Sequence, residues 1–199
     1  MKNVSNKRAF QIAFAAIMIA LSAVLDFAFK AIPLLDMPRG GSVTITMLPI
    51  VVAGVVCGPL YGVVAGVGFG IINCFLIDAY GWFPSSFILD YLVGFGALGL
   101  VGIFRKQIYE GKKIYFVLGF IMVFLIRWIA AGISGVINFE IWGYTKETLE
   151  EIFGAGKNST GYIYLFSFFV YNFPYLSLST LVCIIIGLIG YKPIFKVIE

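Results

Sequence analysis

The chemistry this chain can offer is concentrated in Tyr80-Gly-Trp-Phe-Pro-Ser-Ser-Phe-Ile-Leu-Asp-Tyr91, a stretch between two long apolar runs. It supplies aromatic rings, two serine hydroxyls and then Asp90, a carboxylate just inside a new apolar run. An acid within a membrane span is expensive and marks a functional candidate. Aromatic faces beside a carboxylate suit a flat or cationic ligand. The ring quadrupole attracts positive charge and the carboxylate neutralises it. The competing reading is structural: Tyr and Trp form an interfacial belt, and Asp90 is a helix-start acid favoured by the dipole. Ser85 or Ser86 is suited to cap that helix, and Ser86 and Asp90 are spaced to share one face.

Other chemistry is poorly supplied. The chain has no histidine, which removes the commonest general base and metal ligand. Cys57, Cys74 and Cys183 are scattered singly in or at the ends of apolar runs and read as small packing residues. No carboxylate cluster of ligand spacing interrupts the spans, so no metal, no cofactor and no catalytic residue is expected. The phosphate-binding pattern Gly-x-x-x-x-Gly-Lys-Ser/Thr is missing, so the chain cannot itself hydrolyse ATP to drive transport.

The elements that position Asp90 must be membrane helices. Hydrophobic residues make up 61% of the 199 and charged ones 12%, about half the charge of an ordinary soluble domain. The length allows one domain over residues 1–199, and the fold class is an all-α membrane protein of six transmembrane helices. The spans fall at 8–31, 43–57, 60–79, from about Ser86 to Phe104, 114–138 and 161–190. The first resembles a signal peptide but is too long for an h-region and is read as retained. The second is short, contains Pro49, and either tilts or starts below the surface. Residues 145–153 carry helical content within the long polar segment 139–160.

Several spans carry further signals. Ala9, Ala13, Ala16, Ala20 and Ala23 form one stripe, suited either to an external helix or to packing within the chain's own bundle. Gly62, Gly66 and Gly70 form a second close-packing stripe. Arg127, in mid-span, must face the interior or a wet cavity, with Asp26 and Asp90 as possible partners. Tyr164, Phe168, Tyr171 and Tyr175 are spaced to share a face, with Asn172 adjacent. Pro174 frees the carbonyl of Val170, which marks either a simple kink or a cavity lining.

Basic residues set the expected orientation. Lys2, Lys7, Arg8, Arg105, Lys106, Lys112, Lys113, Lys192 and Lys196 fall on one side, which the positive-inside rule makes cytoplasmic, with both termini. The other side is acidic, and an acidic vestibule concentrates cations. A site at Asp90 should therefore open outward. The net charge of +4 contains no Lys/Arg run longer than two, so nucleic acid is not an expected partner. Two functions compete: an intramembrane enzyme and a solute binder. Lacking a nucleophile with a base, a Walker motif and recognisable homologous halves, the chain fits a binder that relies on a separate energising partner.

Five segments carry a resemblance to a known family. They are Ala-Phe-Ala-Ala-Ile-Met-Ile-Ala-Leu-Ser at 13–22, Met-Pro-Arg-Gly-Gly-Ser-Val-Thr at 37–44 and Leu-Asp-Tyr-Leu-Val-Gly-Phe-Gly at 89–96. The others are Ile-Ser-Gly-Val-Ile at 133–137 and Tyr-Asn at 171–172. Together they resemble the thiamine-specific substrate-capture (S) components of energy-coupling factor transporters. The resemblance implies a six-helix bundle in a bacterial-type plasma membrane, with an outward-facing vitamin pocket. It implies thiamine or a related small molecule as ligand, and Ala16 and Ala20 as the docking surface for a transmembrane coupling subunit joined to two ATPase subunits. Asp90 matches the acid near the thiazolium, Tyr80 and Tyr91 match aromatic contacts, and Asn172 matches a contact to the aminopyrimidine. Tyr171, Phe139 and Ser167 are also implied in the substrate site. The pattern departs from the family at Ala131 (usually His), Phe139 (usually Trp), Ser167 (usually Tyr) and Asp90 itself (usually Glu). A thiamine precursor or another vitamin is the alternative ligand.

Overall fold

The computed structural model describes residues 2–32, 37, 41–78, 83–141 and 143–195, without the side chains of residues 2–6 and 78. Tyr80, Trp82, Trp142 and most of the 33–40 loop lie outside the described residues. Helix α1 (Lys2–Lys30) turns one face inward, where Ala15, Ser22 and Asp26 are buried at helical spacing. Ala13, Ala16 and Ala20 lie on its exposed face. The alanine stripe is therefore not spent on packing within the chain, except at Ala23, which touches the core.

Helix α2 (Met47–Cys57) buries ten of its eleven residues. It is apolar all round, as a helix enclosed by others must be. At about 1.5 Å per residue it reaches across roughly half a hydrocarbon core. The non-helical segment 41–46 leads into it and is satisfied by its neighbours. Thr44 donates its N–H to Ser179 Oγ at 3.1 Å, Ser22 donates to the Thr46 carbonyl at 2.9 Å, and the Thr46 N–H bonds Thr44 Oγ1 at 2.8 Å. Irregular backbone inside a membrane bundle survives where protein encloses it.

Gly58, at φ +103°, turns the chain into α3 (Pro59–Ile72), which continues as a π-helical segment, Asn73–Asp78. Side chains added at Gly62, Gly66 and Gly70 of α3 would strike the backbone of α2 and of α4 (Pro84–Tyr109). Three helices thus meet main chain to main chain, the use for which small-residue stripes are suited in lipid. Helix α4 runs past the expected end at Phe104 to Tyr109. In that extension Arg105 donates to the Val56 carbonyl at 3.1 Å, while Gln11 donates to the Cys57 carbonyl at 2.8 Å. Both satisfy carbonyls that the end of α2 leaves open. Nor do Ser85 or Ser86 cap α4. Pro84 starts the helix, and the Ser85 hydroxyl instead donates to Asn138 Oδ1 at 2.8 Å.

Helix α5 (Lys113–Ile137) carries Arg127. The short α6 (Lys146–Phe153) is held at its start by reciprocal Thr145–Thr148 bonds, and α7 (Thr160–Ile189) leads to α8 (Tyr191–Phe195). Among the described residues five helices are long and apolar enough to cross a membrane, and α2 completes the six-helix bundle. At the end marked by Arg105 and Lys113 the bundle is filled with aromatics. The Phe116 ring packs edge-on against Phe120 at 5.0 Å, Phe195 at 5.8 Å and Tyr191 at 6.1 Å. The Tyr191 hydroxyl donates to the Ile108 carbonyl.

Candidate substrate site

The other half of the bundle contains a cavity of about 140 Å³ bordered by α1, segment 41–46, α3, α4, α5 and α7. Its walls are where the helices depart from α geometry. Three π-helical segments occur among the described residues: Asn73–Asp78, Phe87–Val93 and Phe166–Asn172. Each supplies cavity residues: Asn73 from the first, Asp90 and Tyr91 from the second, Ser167, Tyr171 and Asn172 from the third. A π turn bonds i to i+5 and slips the register by one residue, and such turns concentrate at functional sites.

That slip corrects one sequence expectation. Tyr171 and Tyr175 border the cavity, but Tyr164 is half exposed and Phe168 packs edge-on against Trp128 at 5.6 Å. The four rings therefore do not share a face. The Phe168 carbonyl accepts the Trp128 indole N–H at 2.8 Å. The π segment ends at Asn172, two residues before Pro174, whose ring removes a backbone donor.

Asp90 is partly exposed within the cavity. Its Oδ2 accepts the Ser134 hydroxyl at 2.6 Å. Ser134 is backed by Asn138, whose amide donates to the Ser134 carbonyl at 2.9 Å, and Asn138 in turn accepts from Ser85. Ser85, Asn138 and Ser134 thus tie α4 to α5 and aim the carboxylate. Arg127 faces the same cavity, with its guanidinium carbon 4.6 Å from the Phe95 ring centroid, inside cation–π range. Asp26 and Asp90 line the same cavity.

On the α7 wall, Asn172 donates to the Ser167 carbonyl at 2.8 Å and to the Ala131 carbonyl at 3.3 Å, and accepts the Tyr175 hydroxyl at 2.9 Å. Ser167 donates to the Gly132 carbonyl at 2.7 Å. Tyr144, Phe166 and Tyr171 add an aromatic surface, with the Tyr144 and Phe166 rings 4.7 Å apart.

Of the sequence-predicted residues, Asp90, Tyr91, Ser167, Tyr171 and Asn172 come together around this one cavity. Phe139 does not border it. It is buried one layer back, stacked on Tyr144 at 5.6 Å, so it supports the aromatic wall. Ala131, in contrast, does face the cavity. Sequence reasoning missed Asp26, Lys30, Asn73, Ser134 and Tyr144 as cavity residues. Asp26 and Asn73 meet through a hydrogen bond between α1 and α3. Asp26 had the same signal as Asp90, an acid in an apolar run, whereas nothing in the sequence marks Asn73.

A cavity with two carboxylates, two cations, aromatic walls and amide groups can hold a flat, polar, charged small molecule. Comparison with known proteins agrees. Residues 12–197 match the family described as Thiamine transporter protein (Thia_YuaJ). The thiamine transporter ThiT of Bacillus subtilis (strain 168) is 29% identical over 179 residues, covering 86% of this chain and 84% of that protein. A solved structure of ThiT from Listeria monocytogenes shares the fold, with a TM-score of 0.74 at 22% identity, over 96% of this chain and 98% of that one. The chain belongs to the thiamine transporter family, a multi-pass bacterial membrane protein whose family resemblance was already carried by its own motifs.

Proposed function

We propose that this protein is the substrate-capture subunit of an energy-coupling factor transporter, taking thiamine from outside the cell and performing no catalysis itself. The observation that carries this reading is the convergence of Asp90, Tyr91, Tyr171 and Asn172 on one cavity. Asp90 neutralises the thiazolium, and the low effective dielectric of a buried site strengthens that attraction. Tyr91 supplies a ring face, and Tyr80, outside the described residues, is assigned the same role by the family resemblance. Asn172 meets the aminopyrimidine by exchanging its bond from the Tyr175 hydroxyl for one to the ligand. The ends of the chain are cytoplasmic and the cavity opens outward, on the Lys/Arg asymmetry.

Delivery uses a transmembrane coupling subunit and two ATPases, docked on α1. The exposed position of Ala16 and Ala20 supports this, since small residues let a partner helix approach closely. Ala16→Trp is expected to leave thiamine binding by the purified subunit intact and to abolish uptake by the assembled transporter. Loss of both would remove the docking role. The alanine at 131, facing the cavity where the family usually has histidine, favours a second ligand, a thiamine precursor. Titrating purified protein with thiamine, its pyrimidine precursor and unrelated vitamins, followed by tryptophan quenching, separates these. Tightest binding of thiamine supports the first reading, tightest binding of the precursor the second, and tight binding of an anionic vitamin neither.

A further inference from the structure

We propose that Lys30 is a resident counter-ion that the cationic ligand displaces from Asp26, so that Asp26 serves as a second ligand-binding carboxylate; this rests on the thiamine reading above. Among the described residues four charged side chains border the cavity, Asp26 and Asp90 against Lys30 and Arg127. Two acids and two bases cancel. A bound monovalent cation would leave one excess positive charge in a setting where unbalanced charge is costly. Displacement of one of these resident cations would restore the balance among them.

Arg127 is poorly placed to yield. It lies in the middle of α5 and rests over the Phe95 ring at 4.6 Å. Lys30 is the last residue of α1, its side chain is 22% exposed, and its ammonium stands 3.9 Å from Asp26 Oδ2. That is the loose limit of an ion pair, and a lysine stem is long and flexible enough to carry its charge toward water. Asp26 cannot follow. It is only 3% exposed and its carboxylate accepts the Asn73 amide. One turn earlier on α1, buried Ser22 is bonded to the Thr46 carbonyl. Withdrawal of Lys30 therefore leaves a fixed, hydrogen-bonded carboxylate on α1, on a different helix from Asp90, with the ligand as its new counter-charge. Lys30 then sets affinity by competing with the ligand rather than by touching it.

The test is equilibrium binding to the purified full chain of thiamine and of a neutral analogue lacking the quaternary nitrogen. Lys30→Met is expected to bind thiamine about three- to tenfold tighter, the scale of a partly screened charge pair. It should leave the neutral analogue unchanged. Lys30→Arg keeps the charge and should behave as wild type. Asp26→Asn combined with Lys30→Met should erase the gain. If that double variant fails to fold, the Lys30→Met and Lys30→Arg pair decides alone. Thiamine binding by Lys30→Met no tighter than wild type, or an equal gain for the neutral analogue, overturns the proposal. Wild-type protein that ignores thiamine overturns the thiamine reading, and this one with it.

Discussion

At the basic end of the bundle, α2, α3 and α4 touch main chain to main chain, whereas at the other end α3 and α4 border a cavity. At the first end, glycines 54, 62, 99 and 102 leave no room for a Cβ, α4 tightens into a 3₁₀ segment at Ala97–Phe104, and aromatic rings fill the remaining volume. At the second, the same two helices widen into π turns although Gly70 still meets the Tyr91 carbonyl, and the residues facing inward are Asn73, Ser86, Asp90 and Tyr91. The tight end fixes the geometry of the loose one. A cavity with charged walls inside a membrane bundle cannot hold its shape through apolar packing of its own lining, so it borrows rigidity from the packed half of the same helices.

This contrast can be broken from either side. The largest effect should come from Gly62→Val at the tight end, where the new side chain meets the backbone of Gly54 and Gly99 rather than a movable group. Overpacking against backbone should cost at least the upper end of the usual range of about 1–3 kcal/mol. Thermal melting in detergent is expected to show a large drop, with ligand binding lost as a consequence. A variant that melts like wild type would remove the tight end as the rigid half.

A smaller and more selective effect should follow from Ser134→Ala. It deletes the hydroxyl that bonds Asp90 at 2.6 Å. A hydrogen bond to a charged group is worth about 1.5–3 kcal/mol, of which part is recovered by water in the cavity. Thiamine binding should weaken about tenfold, measured by titration, while the melting temperature moves little. Equal loss of binding and stability would make Ser134 a packing residue.

The smallest effect should come from Thr145→Ala, which removes the reciprocal cap of α6 with Thr148. Such caps contribute about 1 kcal/mol. Because α6 sits against the Phe139–Phe166 cluster through Leu149, the expected result is faster amide exchange across 146–153 with binding changed less than by Ser134→Ala. Unchanged exchange there would show that aromatic packing alone holds α6.

The two ends were also unequally legible in the sequence. The glycine stripe of α3 and the apolar runs carried local, periodic signals, and the tight end follows them closely. Asp90 was readable because an acid in a membrane span is rare. The π segments were not readable. Pro174 marks only the end of one of them, and Phe87–Val93 has no local cue, since its register depends on how α4 meets α3 and α5. That single-residue slip is why Tyr164 and Phe168 part from Tyr171. The pairing of Asp26 with Asn73 and of Ser134 with Asp90 joins residues 47 and 44 positions apart, beyond the reach of any spacing rule. The extension of α4 to Tyr109 was hidden for the same reason. Arg105 reads as a loop charge until the open carbonyls of α2 are placed beside it.

Neutralisation of a cationic ligand by Asp90 is tested most directly by the thiamine affinity of Asp90→Asn beside that of Asp90→Glu. Asparagine keeps the size and can still pair with Ser134, but it lacks the charge. Truncating one member of a desolvated charge pair costs roughly 2–5 kcal/mol, so binding should weaken about 30-fold or more at about 1.4 kcal/mol per tenfold. Asp90→Glu should retain most of the affinity, and a neutral analogue should bind wild type and Asp90→Asn alike. If Asp90→Asn binds thiamine as tightly as wild type, or loses the neutral analogue equally, Asp90 is a structural partner of Ser134 and not the counter-charge of the ligand.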